Sequence, residues 1–253
     1  MEALAVPFLL LVGGLLALQA AANVQLAGAL RSPVGASTLQ LGIGAALLLA
    51  LAAAAGTLGA LGLVGEAKGW HLVGGLGSAI YITAGILLFP RLGAVTTVGL
   101  FIAGQMGASL LLDGFGWLGV AREPVGAPAL LGAAAVVAGA WLIVRAQTAT
   151  SARVGAAPTS GRGVRAARSE QVAPTWTALG LVAGAVLPVQ GAINAQLRAE
   201  LDAPITVGAF SFVVATAAMA LVLGAALALA DAPLLLPPRL AIARRLIERW
   251  LAG

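Results

Sequence analysis

The sequence predicts an all-α polytopic membrane protein with about seven transmembrane helices. Hydrophobic residues make up 60% of the 253 positions and charged residues only 9%, and the mean hydropathy is +1.03. An ordinary soluble domain carries roughly a quarter charged residues. The few charges leave long apolar runs, each reaching the ~20 residues that cross the hydrocarbon core of a bilayer. Runs of this kind indicate helices, because membrane strands give short alternating segments.

Seven charge-free runs define the predicted helices in order. They cover residues 3–30, 32–65, 69–90, 92–112, 124–144, 171–197 and 203–230. The first run follows Glu2 rather than a basic cluster, so we expect it to stay in the mature protein and not to be cleaved as a secretory signal. The predicted organisation is a five-helix transmembrane unit at 1–147, an Arg-rich linker at 148–173, a partial second unit of two helices at 174–232 and a basic amphipathic tail at 233–253.

Basic residues predict the orientation of the chain. The densest basic segment is the linker, with Arg153, Arg162, Arg165 and Arg168. Lys and Arg accumulate on the cytoplasmic side of membrane proteins, so we place the linker in the cytoplasm. Counting helices from there puts the N-terminus outside and the C-terminus in the cytoplasm. Of the 14 Lys and Arg residues, eleven then lie inside and three outside, in agreement with seven helices.

An internal repeat relates the first predicted helix to the sixth. The segments are "LQAAANVQL", residues 18–26, and "VQGAINAQL", residues 189–197. A shift of 171 residues aligns nine identical residues over positions 13–33, including Gln19 with Gln190, Asn23 with Asn194, Gln25 with Gln196, and Pro33 with Pro204. Since five helices separate the starts of the two copies, the copies enter the membrane from opposite sides. Inverted repeats are the architecture of many secondary transporters, which bind substrate between the repeats.

The repeated amides are the main candidate site. Gln19 and Asn23 are four residues apart and share one helix face, about 6 Å apart along the axis, and Gln190 and Asn194 repeat this arrangement. We expect the four amides to converge on a polar cavity that takes the substrate. The alternative is that they only bond to neighbouring helices and contribute about 0.6 to 2 kcal/mol each to packing. Gln25 points away from that face, and we expect it to serve packing.

Gln105 and Asp113 are two further candidates, and both lie on the fourth predicted helix. Gln105 is either another residue of the cavity or a packing contact. Asp113, in "GASLLLDGFG", is a candidate for proton coupling, because ionisable groups at membrane depth are usually functional. Its neighbours Gly114 and Gly116 also suit the alternative that it simply ends the helix in the interfacial region.

Composition excludes several classes of function. There is no cysteine and His71 is the only histidine, so disulfides and clustered metal ligands are not expected. The sequence has no phosphate-binding loop, which argues against an enzyme and leaves no nucleotide cofactor to expect. Basic residues beside apolar spans favour membrane orientation over nucleic-acid binding. The expected partners are therefore the lipid bilayer and a small molecule. His71 follows Trp70 at a helix entry, and we expect both at the membrane interface.

Three segments together resemble the YdcZ family of inner-membrane transporters, within the drug/metabolite transporter superfamily. They are "LPVQGAINAQL", "GWHLVGGLGSAIYITAGILLFPRLGA" and "AGQMGASLLLDGFGWLG". The resemblance covers residues 8–145 as a five-helix unit and residues 176–230 as the start of a second. It implies a bacterial inner-membrane transporter of undefined substrate, with units that pair as homo- or hetero-dimers or are fused into ten-helix chains. Where the family usually has Pro-Trp-Trp, this chain has "KGWH", so Trp70 is kept and His71 replaces an aromatic residue.

The second unit departs further from the family. Residues 231–253, "DAPLLLPPRLAIARRLIERWLAG", replace three helices of a fused member. With Arg244, Arg245, Glu248 and Arg249 on one side and apolar residues on the other, this segment predicts an interfacial amphipathic helix. A frameshifted or truncated reading of a longer gene is the alternative. The functional prediction is thus a secondary transporter, and its alternative is a non-transporting or truncated subunit that assembles with another five-helix protein.

Overall fold

A computed structural model describes residues 2–155 and 174–231, and within these ranges the chain forms six long helices and no strand. The helices are α1 (Glu2–Leu30), α2 (Pro33–Ala54), α3 (Gly75–Phe115), α4 (Ala127–Gly155), α5 (Pro174–Leu201) and α6 (Pro204–Asp231). Short 3-10 segments lie at Leu58–Glu66 and Gly69–Val73, before α3, and at Trp117–Gly119, after it. Most of the predicted linker and the whole predicted amphipathic tail lie outside the described residues.

All six helices are long and apolar enough to cross a membrane. The apolar stretch that contains α3 runs from Gly69 to Phe115, 47 residues, which is twice the ~20 residues of one crossing. At Gly93 the backbone takes φ 75° and ψ 164°, a conformation open essentially to glycine alone, and the helix is interrupted there. Residues 75–92 and 94–115 are therefore two helices. The predicted all-α fold with about seven spans is confirmed.

The second span ends earlier than predicted. The charge-free run 32–65 is α-helical only to Ala54, because Gly56 follows in the left-handed region with φ 69°. Glycine just after a helix is a common stop signal, since no Cβ opposes this conformation. The rest of the run, up to Glu66, is the first 3-10 segment. Before Glu66 that segment is as free of charge as the helix that precedes it, so charge alone did not reveal where α2 ends.

The two copies of the repeat form matching helical hairpins, α1 with α2 and α5 with α6. The connecting turns contain Arg31 with φ 50° and Asp202 with φ 45°, which are equivalent positions under the 171-residue shift. Pro33 and Pro204 then open the second helix of each hairpin. Proline suits that position because the first turn of a helix leaves its N–H groups without partners in any case. The repeat in the sequence is thus a repeat in the structure.

The interior of the protein lies between the two units. The most extensive helix contact joins α3 to α5, and the next joins α2 to α6. Both contacts cross from the first unit to the second. The largest apolar cluster consists of Ala84, Leu88, Leu92, Leu100, Phe101 and Ala183 from α3 and α5. α1 lies at the margin, where Leu10 and Leu18 are 72% and 68% exposed.

Glycines bring the backbones of α3 and α5 together. A Cβ at Gly104 would overlap the carbonyl oxygen of Leu181, and a Cβ at Gly184 would overlap that of Phe101. Small residues allow such approach, which matters in lipid because van der Waals contact replaces the hydrophobic drive between helices. These glycines are therefore required by the packing of the two units.

We expect Gly104→Ala to destabilise the protein and Gly107→Ala, on the same helix, not to. The new methyl at residue 104 displaces the α5 backbone, at a cost of about 1 to 3 kcal/mol. Nothing lies within 4 Å of a Cβ at Gly107, and alanine there gains helix propensity. Thermal unfolding of the two variants in the same detergent measures the difference. Equal melting temperatures would contradict the close contact.

Candidate functional site

The amides of the second repeat copy lie at the border between the two units. Gln190, half-buried in α5, places its Nε2 2.9 Å from the hydroxyl oxygen of Ser78, at the start of α3. One turn later, the Oδ1 of Asn194 accepts a hydrogen bond of 2.8 Å from the hydroxyl of Ser211 on α6. Gln190 therefore bonds across to the first unit, while Asn194 bonds within the second. The two amides share a face of α5, as their spacing predicts.

The glycines at the start of α3 make room for these amides. A Cβ at Gly77 would lie 2.6 Å from the Oε1 of Gln190, and a Cβ at Gly74 would overlap the Oδ1 of Asn194. A Cβ at Gly75 would overlap the carbonyl oxygen of Ser211. We call residues 74–78, "GGLGS", the glycine segment. It offers α5 a surface without bulky side chains, and its one hydroxyl meets Gln190.

The amides of the first copy have different surroundings. Gln19 is exposed and Asn23 is half-buried on α1, and neither side chain makes a hydrogen bond to any described residue. The main neighbours of α1 are α2 and α3, and it has at most marginal contact with α5. The described part of the chain therefore does not bring the four amides together. Their convergence on one cavity stays a prediction.

Gln105 and Asp113 both lie in the second half of α3. Gln105 is half-buried beside Gly104 and makes no hydrogen bond to a described residue. Asp113 is half-buried in the last helical turn, three residues before Gly116, whose left-handed conformation (φ 67°) ends the helix. The carbonyl of Asp113 accepts a 2.9 Å hydrogen bond from the N–H of Glu123. Asp113 thus lies at a helix end; whether it couples protons stays a prediction.

Buried hydroxyls complete the polar interior, and the sequence did not single them out. Thr83 of α3 donates to the Oγ of Ser37 on α2 at 2.9 Å, with the sulfur of Met219 3.6 Å away on α6. Thr206 of α6 bonds at 2.9 Å to Thr57, which follows α2. In the sequence, the signal for such a contact is only a serine or threonine inside an apolar run. Many such residues bond only to their own helix, so this signal does not identify contacts between helices.

His71 pairs with a carboxylate from the second unit. It is only 4% exposed, and its Nδ1 lies 3.0 Å from an oxygen of Glu200, near the end of α5. Trp70 meets the imidazole edge-on, with the ring centroids 4.0 Å apart. The pair holds the segment before α3 beside the α5–α6 turn. Those two loops share one side of the membrane, as the helix count requires.

Comparison with known proteins adds to this geometry. A family model described as "Putative inner membrane exporter, YdcZ" matches residues 4–142 and 175–237. The inner membrane protein YdcZ of Escherichia coli (strain K12) is 35% identical over 83 residues, which are 33% of this chain and 55% of that relative. The chain thus matches little more than half the length of this relative. No solved structure matches the chain significantly.

The family match has two parts that correspond to the two units of the fold. The matched residues include both hairpins of the repeat, the glycine segment and the parts of α3 and α5 that contact each other. From the extent of this match, the chain is a multi-pass inner-membrane protein that belongs to the YdcZ family.

Proposed function

We propose that the protein is a secondary transporter of small molecules that alternates access by moving one inverted unit against the other. The observation that carries this proposal is the position of Gln190 and Asn194. They lie at the border between the units, which is where transporters built from inverted repeats bind substrate. The exporter family supports transport as the general activity. We further propose that the N-terminus is outside and the linker cytoplasmic.

The hydrogen bonds of these amides suit a site that opens and closes. An amide both donates and accepts, so Gln190 and Asn194 can exchange Ser78 and Ser211 for polar groups of a substrate. Interhelical hydrogen bonds in membranes contribute about 0.6 to 2 kcal/mol each. A bound substrate that makes hydrogen bonds of similar strength can replace these contacts and so favour a second arrangement of the units. The glycine segment gives α5 room to shift without crossing bulky side chains.

An ion gradient is the proposed energy source, because the sequence has no nucleotide-binding loop. Asp113 is the proposed coupling residue. It is a carboxylate within a membrane helix, half-buried at its end, and a proton bound there would neutralise it. A conformational change that moves α3 against α5 would alter the surroundings of this group. Gln105, on the same helix, is the proposed further residue of the pathway.

A second function is favoured by the surroundings of α1. Gln19 and Asn23 have no partners among the described residues, as expected for a subunit that completes its packing with another protein. In that case the polar residues of α5 only make helix contacts from which water is excluded, and the protein itself contains no transport pathway. The two proposals differ in whether water reaches the amides.

Cysteine accessibility separates the two functions. The natural chain contains no cysteine, so single cysteines at residues 190 and 194 report without background. We expect a water-soluble thiol reagent to modify both in native membranes, because a transport pathway is wetted, and not to modify Ala183→Cys, which is fully buried on the same helix. Substitutions at Gln19, Asn23 and Gln105 extend the test. If residues 190 and 194 are as unreactive as residue 183, the contacts are dry and the transporter proposal fails.

Substitution of Asp113 tests proton coupling. We expect Asp113→Asn to abolish the response to an imposed pH gradient, because an amide cannot carry the coupled proton, while exchange without a gradient persists. The measurement is uptake into proteoliposomes of whichever small molecule, from a panel of polar metabolites, the wild type transports. Glu123→Gln, in the exposed loop after α3, is the matched control and should keep the response. Gradient-driven uptake at the wild-type rate in Asp113→Asn would exclude this role.

A further inference from the structure

The polar side chains of the candidate site at the border of the units are all uncharged. Gln190 bonds to Ser78 and Asn194 bonds to Ser211, so the site consists of two amides and two hydroxyls. No Asp, Glu, Lys, Arg or His occurs in the helix segments around it, which are residues 75–90, 92–112, 174–197 and 204–230. The site therefore offers hydrogen bonds to a solute but no opposite charge.

A charged solute would leave water at this site without meeting an ion of opposite sign. Moving an unpaired ion into an apolar medium is far more costly than moving an amide or a hydroxyl. Membrane proteins that move ions commonly carry ionisable residues along the pathway. In this chain the matching positions of both repeat copies are amides, Gln19 with Gln190 and Asn23 with Asn194. The chemistry of both copies thus favours uncharged solutes.

The loops at one end of the site carry charges of both signs. Arg198 follows Asn194 by one turn and is exposed in the last turn of α5. Two residues further, an oxygen of Glu200 lies 3.0 Å from the Nδ1 of His71. The other charged residues of these loops are Glu66, Lys68 and Asp202. Because positive and negative groups lie together, this end of the site selects neither cations nor anions.

The hydrogen bonds of the site indicate which uncharged groups fit. The hydroxyl oxygen of Ser78 lies 2.9 Å from the Nε2 and 3.1 Å from the Oε1 of Gln190, so it can accept from one end of the amide and donate to the other. The Oδ1 of Asn194 accepts from Ser211, and its Nδ2 makes no hydrogen bond to a described residue. A solute group that both donates and accepts can replace these serines, as a hydroxyl or a carboxamide does.

The glycine segment favours a slender solute. A Cβ at Gly77 would lie 2.6 Å from the Oε1 of Gln190, and a Cβ at Gly74 would overlap the Oδ1 of Asn194. These contacts leave no gap for a solute where the amides meet the glycines. A solute enters only when α5 moves away from α3, and a narrow solute requires the smallest movement.

We propose that the site at Gln190 and Asn194 takes small uncharged solutes that carry hydroxyl or carboxamide groups, and that it excludes their charged analogues. This inference rests on the proposed transport function and adds the substrate class to it. Hydrogen bonds from the two amides replace the water that the solute loses, while an ion at the same place finds no counter-charge.

Matched solutes that differ in charge test the substrate class. The probes are erythritol, xylitol and sorbitol, each with three analogues in which one end of the chain carries a carboxamide, a carboxylate or an ammonium group. Uptake of each labelled probe is measured in proteoliposomes of the full-length wild type, with protein-free liposomes as background. We expect uptake of the polyols and carboxamides at least tenfold faster than that of the charged analogues. A charged analogue that is taken up as fast as its polyol would overturn the inference and leave the transport function standing.

Gln190→Glu tests whether the amide sets this preference. The substitution keeps the size of the side chain and adds a negative charge, so in mildly alkaline buffer we expect the preference to shift at least tenfold towards the ammonium analogues. Gln196→Glu adds the same charge to another face of α5, beside Gly119, and should keep the wild-type preference. An equal preference in the two variants would contradict the role of Gln190. The comparison of probes in the wild type does not depend on the folding of either variant.

Uptake of none of the probes by the wild type would also overturn the inference. Cysteines at residues 190 and 194 then show whether the transport function fails with it. If a water-soluble thiol reagent modifies them, a wetted pathway for other solutes remains and only the substrate class is wrong. If they are unreactive, both proposals fail.

Discussion

The close contact of α3 with α5 is the constraint on which the rest of the structure depends. Between helices in a bilayer the hydrophobic drive is nearly absent, so backbone approach and hydrogen bonds hold the units together. The break at Gly93 lets one continuous segment contact α5 twice. Its first half approaches antiparallel through the glycine segment, and its second half approaches parallel, where Gly104 lies beside Leu181 and Gly180 beside Leu100. A side chain at any of these glycines would separate the units.

Much of the fold was predictable from the sequence, because a membrane restricts its proteins to simple elements. Apolar length fixed the spans, and the proline after each repeat copy marked the start of α2 and of α6. The end of α2 was not predicted, since the following 3-10 segment is equally apolar and only Gly56 marks the boundary. The pairing of His71 with Glu200 joins positions far apart in sequence, and no local pattern encodes it.

The candidate site was predictable only in part, because the partners of its amides lie on other helices. The repeat identified Gln190 and Asn194 because matched amides in apolar helices are unlikely to arise from composition. It could not identify Ser78 or Ser211 as their partners. Hydroxyls in membrane helices often bond to their own backbone, as Thr216 does with the carbonyl of Phe212 at 2.7 Å. Only the placement of α3 and α6 around α5 shows which hydroxyls bond to another helix and which bond to their own.

The repeat gives the protein an internal comparison. The same amides occur on α1 and α5, so the difference in their surroundings comes from their neighbours and not from residue type. Among the described residues, the amides of α5 lie on the glycine segment, and those of α1 make no hydrogen bond. In transporters built from inverted repeats, access alternates as one repeat moves against the other. Under the proposed mechanism, such a movement changes which of the two copies is covered, so the amides of α1 and α5 would mark the two states of one cycle.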